Sequence, residues 1–185
     1  MKKAILIHST GGDPDECWYP WLKQELEKRG YEVLIPSFPT PAGQTLENWM
    51  NFFEPYWKEV DKETILVGRS IGVPFVLRIL EKLDKPVKAA FLVAGFCSDL
   101  KLEEFKPYVD SFVEQPFDWD KIRNNCKKFV VYHSNDDPIV KLSFGEEMAK
   151  RLQTKLTLIK EGGHFNLGTK FGEKFQNILE DINSL

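Results

Sequence analysis

Five residues, Gly68-Arg69-Ser70-Ile71-Gly72, set a serine between two glycines, each two positions away. They follow the apolar run Thr64-Ile65-Leu66-Val67 and lead into an apolar-periodic stretch from Val73 to Leu83. Gly-x-Ser-x-Gly between a strand and a helix is a nucleophile elbow, the setting in which a serine hydroxyl is lifted clear of the backbone to attack an acyl carbon. The sharp turn crowds strand against helix, and glycine on both sides relieves the clash. Ser70 then sits at a helix N-terminus, where free N–H groups stabilise developing negative charge.

A serine hydroxyl is a weak nucleophile without a base, and the base needs an acid to orient it. The chain has three histidines, His8, His133 and His164. On a sheet carrying such an elbow the partners follow in the order serine, acid, histidine. Only His164 comes late enough. It stands in the flexible stretch Glu161-Gly162-Gly163-His164-Phe165. The acid is expected in Ser134-Asn135-Asp136-Asp137-Pro138, where Asp136 and Asp137 both qualify and adjacent carboxylates are also ordinary turn chemistry. Asp99 is a third candidate. An oxyanion needs two N–H donors. The backbone of Ile71 supplies one, and the loop His8-Ser9-Thr10-Gly11-Gly12 supplies the other, with Thr10 preferred over Ser9. His8 reads as structural, a tether for that loop, and Arg69 reads as a solvated surface charge. Trp18 and Trp21 read as helix packing rather than a substrate box.

These groups must be held by a frame. Six strand-like runs appear: Ala4–Ile7, Val33–Ile35, Thr64–Val67, Ala89–Val93, Phe129–Tyr132 and Leu156–Ile159. Between them lie helical stripes: Trp18, Leu22 and Leu26, closed by Gly30; Leu46, Trp49, Met50 and Phe53, stopped by Pro55; Val73, Val76, Leu77 and Leu80; and Phe144, Met148 and Leu152. Phe171, Phe175, Ile178 and Ile182 predict a last helix. Alternating strands and helices imply an α/β fold, a three-layer α/β/α sandwich on a six-stranded, mainly parallel sheet. Near-continuous apolar strands agree, because such strands are buried on both faces. Short right-handed crossovers place the first strand between the second and third. Chain direction reverses there, and such switch points hold ligands at strand C-termini.

The 185 residues are read as one domain. Residues 97–128 interrupt the rhythm with Phe105, Tyr108, Phe112, Phe117 and Trp119. This stretch is either a small lid-like segment touching substrate or an ordinary connection packed on the sheet. A net charge of −3 gives no reason to expect a nucleic-acid or anionic-membrane partner. The apolar run after Lys2 and Lys3 stops at His8, short of a signal-peptide core and far short of a membrane span, so a buried first strand is expected. Cys17, Cys97 and Cys126 suit neither a disulfide framework nor a metal site, and a reducing cytoplasm is the expected compartment. No metal and no cofactor are expected. A phosphate or dinucleotide loop is disfavoured, because Gly68 to Gly72 lack the required glycine spacing and lysine.

With these residues in place, the chain resembles the α/β-hydrolase superfamily, and more closely the small serine hydrolases related to retinoblastoma-binding protein 9. The likeness runs through Gly11-Gly12, Trp18-Tyr19-Pro20-Trp21 leading into Gln24-Glu25-Leu26-Glu27, the elbow, Ser98-Asp99-Leu100 and Trp119-Asp120-Lys121-Ile122. It continues in Ser134-Asn135-Asp136-Asp137-Pro138 and Gly163-His164-Phe165, nearly the whole chain. The resemblance implies a compact hydrolase fold without the first two strands of larger members. It implies Asp137 as the acid, since the family sets it immediately before proline, and hence a triad of Ser70, Asp137 and His164. It further implies action on small esters or amides. The family namesake carries a Leu-x-Cys-x-Glu retinoblastoma-binding motif before the elbow strand; here Lys58-Glu59-Val60-Asp61-Lys62 stands instead, so no such partner is expected. The expected activity is a cofactor-free, carboxylesterase-like serine hydrolase acting on small apolar esters. The alternative is a non-catalytic protein- or ligand-binding module on the same scaffold.

Overall fold

The computed structural model describes residues 2–185. Its six strands form one sheet in the order β2-β1-β3-β4-β5-β6. They are β1 (Lys2–Ile7), β2 (Tyr31–Leu34), β3 (Thr64–Arg69), β4 (Ala89–Val93), β5 (Phe129–Ser134) and β6 (Leu156–Ile159). Every neighbouring pair is parallel, so the sheet is wholly rather than mainly parallel. The first strand lies between the second and third, as expected from the sequence. Three strands run longer than their apolar cores: β1 begins at Lys2, β3 continues to Arg69 and β5 continues to Ser134. The second is set earlier than Val33–Ile35, because Tyr31 pairs with Lys2 and opens the ladder.

The helices are α1 (Tyr19–Glu27), α2 (Leu46–Phe53), α3 (Gly72–Lys82), α4 (Lys106–Val113), α5 (Trp119–Asn124), α6 (Leu142–Arg151) and α7 (Gln176–Asn183). Side chains alternate across a strand, and that period divides the core in two. Ile5, Ile7, Leu66, Ala90, Leu92 and Val131 face a layer built from α2 to α6. Ala4, Leu6, Val67, Phe91, Val93 and Tyr132 face α1 and α7. Local chemistry sets the helix ends. The Thr45 hydroxyl accepts the Asn48 N–H and caps α2, which gives way at Pro55 to a 3-10 turn over Glu54–Glu59. Gly30 takes the left-handed conformation, φ 78°, just beyond α1.

The last helix is shorter than its apolar spacing suggests. Phe171 and Phe175 lie outside it, because residues 166–172 coil through tight turns. Those two rings pack tilted against Phe165 instead, at centroid distances of 5.5 and 5.2 Å. The interrupting stretch 97–128 contains α4 and α5, both packed into the larger core. No helix among the described residues is long and apolar enough to cross a membrane.

The elbow sits where helix and sheet backbones crowd each other. A Cβ on Gly72 would fall 2.4 Å from the Ile7 carbonyl oxygen of β1. One on Gly68 would fall 2.6 Å from the Gly72 carbonyl oxygen. Both clashes are with backbone, which has nowhere to move. We predict that Gly72→Ala lowers the unfolding free energy by about 1–3 kcal/mol or more. Urea denaturation against the parent measures this, and an unchanged midpoint would contradict it.

Candidate active site

Ser70 follows the C-terminal end of β3 with φ 55°, a left-handed conformation that a residue with a side chain holds only when its surroundings impose it. The surroundings do. Its N–H donates to the Val93 carbonyl at 3.0 Å, and its carbonyl accepts the Val73 N–H at 3.0 Å. The chain is thus pinned on both sides of the turn. The N–H groups of Ile71 and Thr10 donate to no protein acceptor among the described residues.

The histidine and the acid come from the ends of the next strands. Asp137, after β5, has a fully buried side chain whose Oδ2 lies 2.8 Å from His164 Nδ1. Its Oδ1 accepts the N–H groups of Ile139 and Val140, each at 2.9 Å. The carboxylate therefore holds the proton on Nδ1 and leaves the Nε2 lone pair free. Asp136 does something else. Its Oδ1 accepts the Ser134 hydroxyl and the Gly163 N–H, so it supports the loop of His164 rather than the ring. The same short segment supplies Asn135 Oδ1 to the Glu161 N–H at 3.0 Å and Ser134 Oγ to the Gly162 N–H at 2.8 Å. Three consecutive side chains thus clamp three consecutive amides. The hydrogen bonds to the Asp136 carboxylate hold its pKa below the usual aspartate value. Asp99 bonds Lys101 and takes no part.

Ser70, His164, Thr10 and Ser9 border one cavity of about 130 Å³. Its apolar wall is Phe96, Leu100, Phe105, Val109 and Ile139, while Arg69 and Asn166 complete the polar side. No hydrogen bond joins Ser70 Oγ to His164 Nε2; such contacts often tighten only around substrate. Leu100, Phe105 and Val109 belong to the 97–128 stretch, which therefore contributes directly to the cavity. That stretch is latched. Gln44, buried, donates through Nε2 to both Thr10 Oγ1 and the Tyr108 carbonyl, each at 2.8 Å. Arg78, buried on α3, donates to the carbonyls of Phe112 at 3.0 Å and of Gln115 and Pro116.

Arg69 is not the solvated surface charge that its polarity suggests. It is 5% exposed and bonds Ser9 Oγ, Cys17 Sγ and the Phe165 carbonyl. A signal was present: the last residue of a central strand has little access to water. Trp18 and Trp21 do pack, and Trp18 Nε1 also donates to the Phe165 carbonyl at 3.1 Å. His8 is buried. The Phe38 N–H donates to its Nε2 at 2.9 Å, which leaves the proton on Nδ1 for the Ser9 carbonyl at 2.9 Å. His133 was given no role by its position in the sequence, yet its Nε2 lies 3.9 Å from Asp137 Oδ2 and donates to the Val140 carbonyl at 2.8 Å. No cluster of three or more metal-ligating side chains occurs among the described residues.

A parallel sheet with a strained serine at its switch point is the frame of an α/β hydrolase. Sequence comparison narrows the class: the Serine hydrolase family matches residues 4–180, and the chain belongs to that family. It is 33% identical over 166 residues to the YdeN protein of Bacillus subtilis, spanning 89% of this chain and 86% of that one. It is 31% identical over 174 residues to the serine hydrolase RBBP9 of Rattus norvegicus, spanning 92% and 90%. The crystal structure of the B. subtilis ydeN gene product superposes with a TM-score of 0.92 at 30% identity, covering 100% of this chain and 98% of that one. Est1E of Butyrivibrio proteoclasticus, solved with ferulic acid, shares the fold with a TM-score of 0.76 at 16% identity, over 100% and 87% of the two chains.

Burial holds the pKa values of His8 and His133 below the usual histidine value of 6.5. A depressed histidine contributes stability that is complete above pH 6.5 and is lost as pH falls, because the unfolded chain binds the proton first. We predict lower stability at pH 5.5 than at pH 7.5, and a weaker dependence in His133→Gln, whose amide can still donate to Val140. Urea unfolding at both pH values checks it, and identical slopes in parent and variant would refute the assignment.

Proposed function

We propose that this enzyme hydrolyses small apolar esters, and amides more slowly, through an acyl-enzyme on Ser70. The observation that carries the reading is the 2.8 Å contact between His164 and a buried Asp137 at the cavity that Ser70 also borders. In the proposed cycle, His164 Nε2 takes the hydroxyl proton as Ser70 Oγ attacks the acyl carbon. The N–H groups of Ile71 and Thr10 hold the oxyanion. Collapse expels the alcohol, which leaves with the proton from His164. Water then attacks the acyl-enzyme, giving its proton to His164, and the acid departs as Ser70 regains its hydrogen. Asp137 fixes the imidazole tautomer throughout. Esters are favoured because an alkoxide leaving group needs less help from the acid than an amine.

Cavity size supports a short or compact acyl group, since a dry cavity of ~150 Å³ accommodates a benzene ring. We read the whole chain as one hydrolase domain, with 97–128 as a lid-like cover that sets acyl size. Its three free cysteines suit a reducing, cytoplasmic setting.

The test is fluorophosphonate labelling together with turnover of p-nitrophenyl acetate, butyrate and octanoate. Labelling is expected in the wild type and absent in Ser70→Ala and His164→Ala. Asp137→Asn is expected to lower kcat by roughly 10⁴-fold. Acetate and butyrate are expected to exceed octanoate in kcat/KM by about tenfold or more. A folded wild type that neither labels nor turns over ester would instead favour a binding module on a hydrolase scaffold.

A further inference from the structure

Arg69 immediately precedes the serine, and its side chain turns back into the protein. One amino group donates to Ser9 Oγ. The other donates to the Phe165 carbonyl at 3.0 Å and contacts Cys17 Sγ at 3.1 Å. Ser9 adjoins Thr10, and Phe165 adjoins His164. The guanidinium therefore spans the loop after β1 and the loop after β6, with its own backbone fixed beside Ser70. The rigid planar fork donates in two directions at once from one charged group.

Its burial argues against a purely stabilising role. No carboxylate lies within 4 Å of Arg69 among the described residues; its partners are a hydroxyl, a backbone carbonyl and the Cys17 sulfur. Its Nε has no hydrogen-bond partner among the described residues. A buried cation without a carboxylate partner is costly, and an apolar side chain of the same size would serve packing better. The Tyr19 ring lies alongside it, with the guanidinium carbon 6.0 Å from the ring centroid. What the guanidinium does and an apolar side chain cannot is hold two loops at a fixed separation.

We infer that Arg69 is a positioning residue for hydrolysis at Ser70, setting the oxyanion loop and the histidine loop in register on either side of the nucleophile. This rests on the serine-hydrolase reading. Misplacement of reacting groups by about 1 Å can cost 10²-fold in rate without a comparable loss of binding.

The experiment compares wild type, Arg69→Met, Arg69→Lys and Ser9→Ala, each titrated for active sites and assayed well below its melting temperature with p-nitrophenyl butyrate. Arg69→Met is expected to lose about 10–10²-fold in kcat with KM within about twofold, and its fluorophosphonate labelling rate is expected to fall in parallel. Arg69→Lys keeps the charge but not the fork, and is expected to recover only a minor part of kcat. Ser9→Ala removes one arm and is expected to lose about 3–10-fold in kcat with KM held, which carries the test if Arg69→Met fails to fold. A labelling wild type beside variants that melt lower but turn over normally per titrated site would overturn the inference alone. A change confined to KM would also overturn it. A wild type that does not label would sink the hydrolase reading and this inference with it.

Discussion

Everything at the site depends on how closely α3 crosses the sheet. The helix begins where its backbone almost touches the carbonyl of Ile7 and lies over β3 at Gly68. Only residues without a Cβ fit at those two points, and the chain between them has no room for an extended path. Ser70 is consequently forced to a positive φ, and the Ile71 N–H at the start of the helix has no protein acceptor among the described residues. The strain is local. It is carried by a central strand paired on both sides and by a helix buried along most of its length.

A second layer of control lies in contacts between loops. The loop after β5 grips the loop after β6 through Ser134, Asn135 and Asp136. The loop after β1 is tied by Gln44 to α4 and by Arg69 to Phe165. Trp18 Nε1 shares the same Phe165 carbonyl. Ser134, Gln44, Arg69 and Trp18 are buried and satisfy backbone or hydroxyl groups that would otherwise be desolvated without a partner, whereas Asn135 and Asp136 make their contacts at the surface. Loops fixed in this way sit closer to rigid elements than their length suggests.

The frame was legible because it follows from local signals. The near-continuous apolar strands and the glycine pair each appear within short windows of sequence, and the order serine, acid, histidine follows the order of the strands they succeed. Asp136 and Asp137 could not be separated from composition alone. Family likeness pointed to Asp137, and in the structure Asp137 is the one facing His164. What escaped the sequence is non-local. Arg69 finds its partners 60, 52 and 96 residues away, so its polarity suggested water where the fold supplies protein. Phe171 and Phe175 share helical spacing with Ile178 and Ile182, yet ring packing outside a helix satisfies them as well. Apolar spacing reports which face is buried but not whether the backbone between is helical. His133 gave no signal because its contact with Asp137 depends on how the chain turns at Asn135 and Asp136.

The two latches on the 97–128 stretch hold residues 108–116, whereas hydrogen bonds around Leu100 and Phe105 are local. Those two side chains form part of the cavity wall, yet neither belongs to the clamps around Ser70, His164 and Asp137. In the proposed hydrolase, selectivity and reactivity would thereby be housed in separable parts. Such a layout would let a lineage trade one acyl group for another by drift at a few wall positions while the proposed reacting apparatus stays untouched. The same separation makes 99–105 the natural stretch to randomise when a different substrate range is wanted.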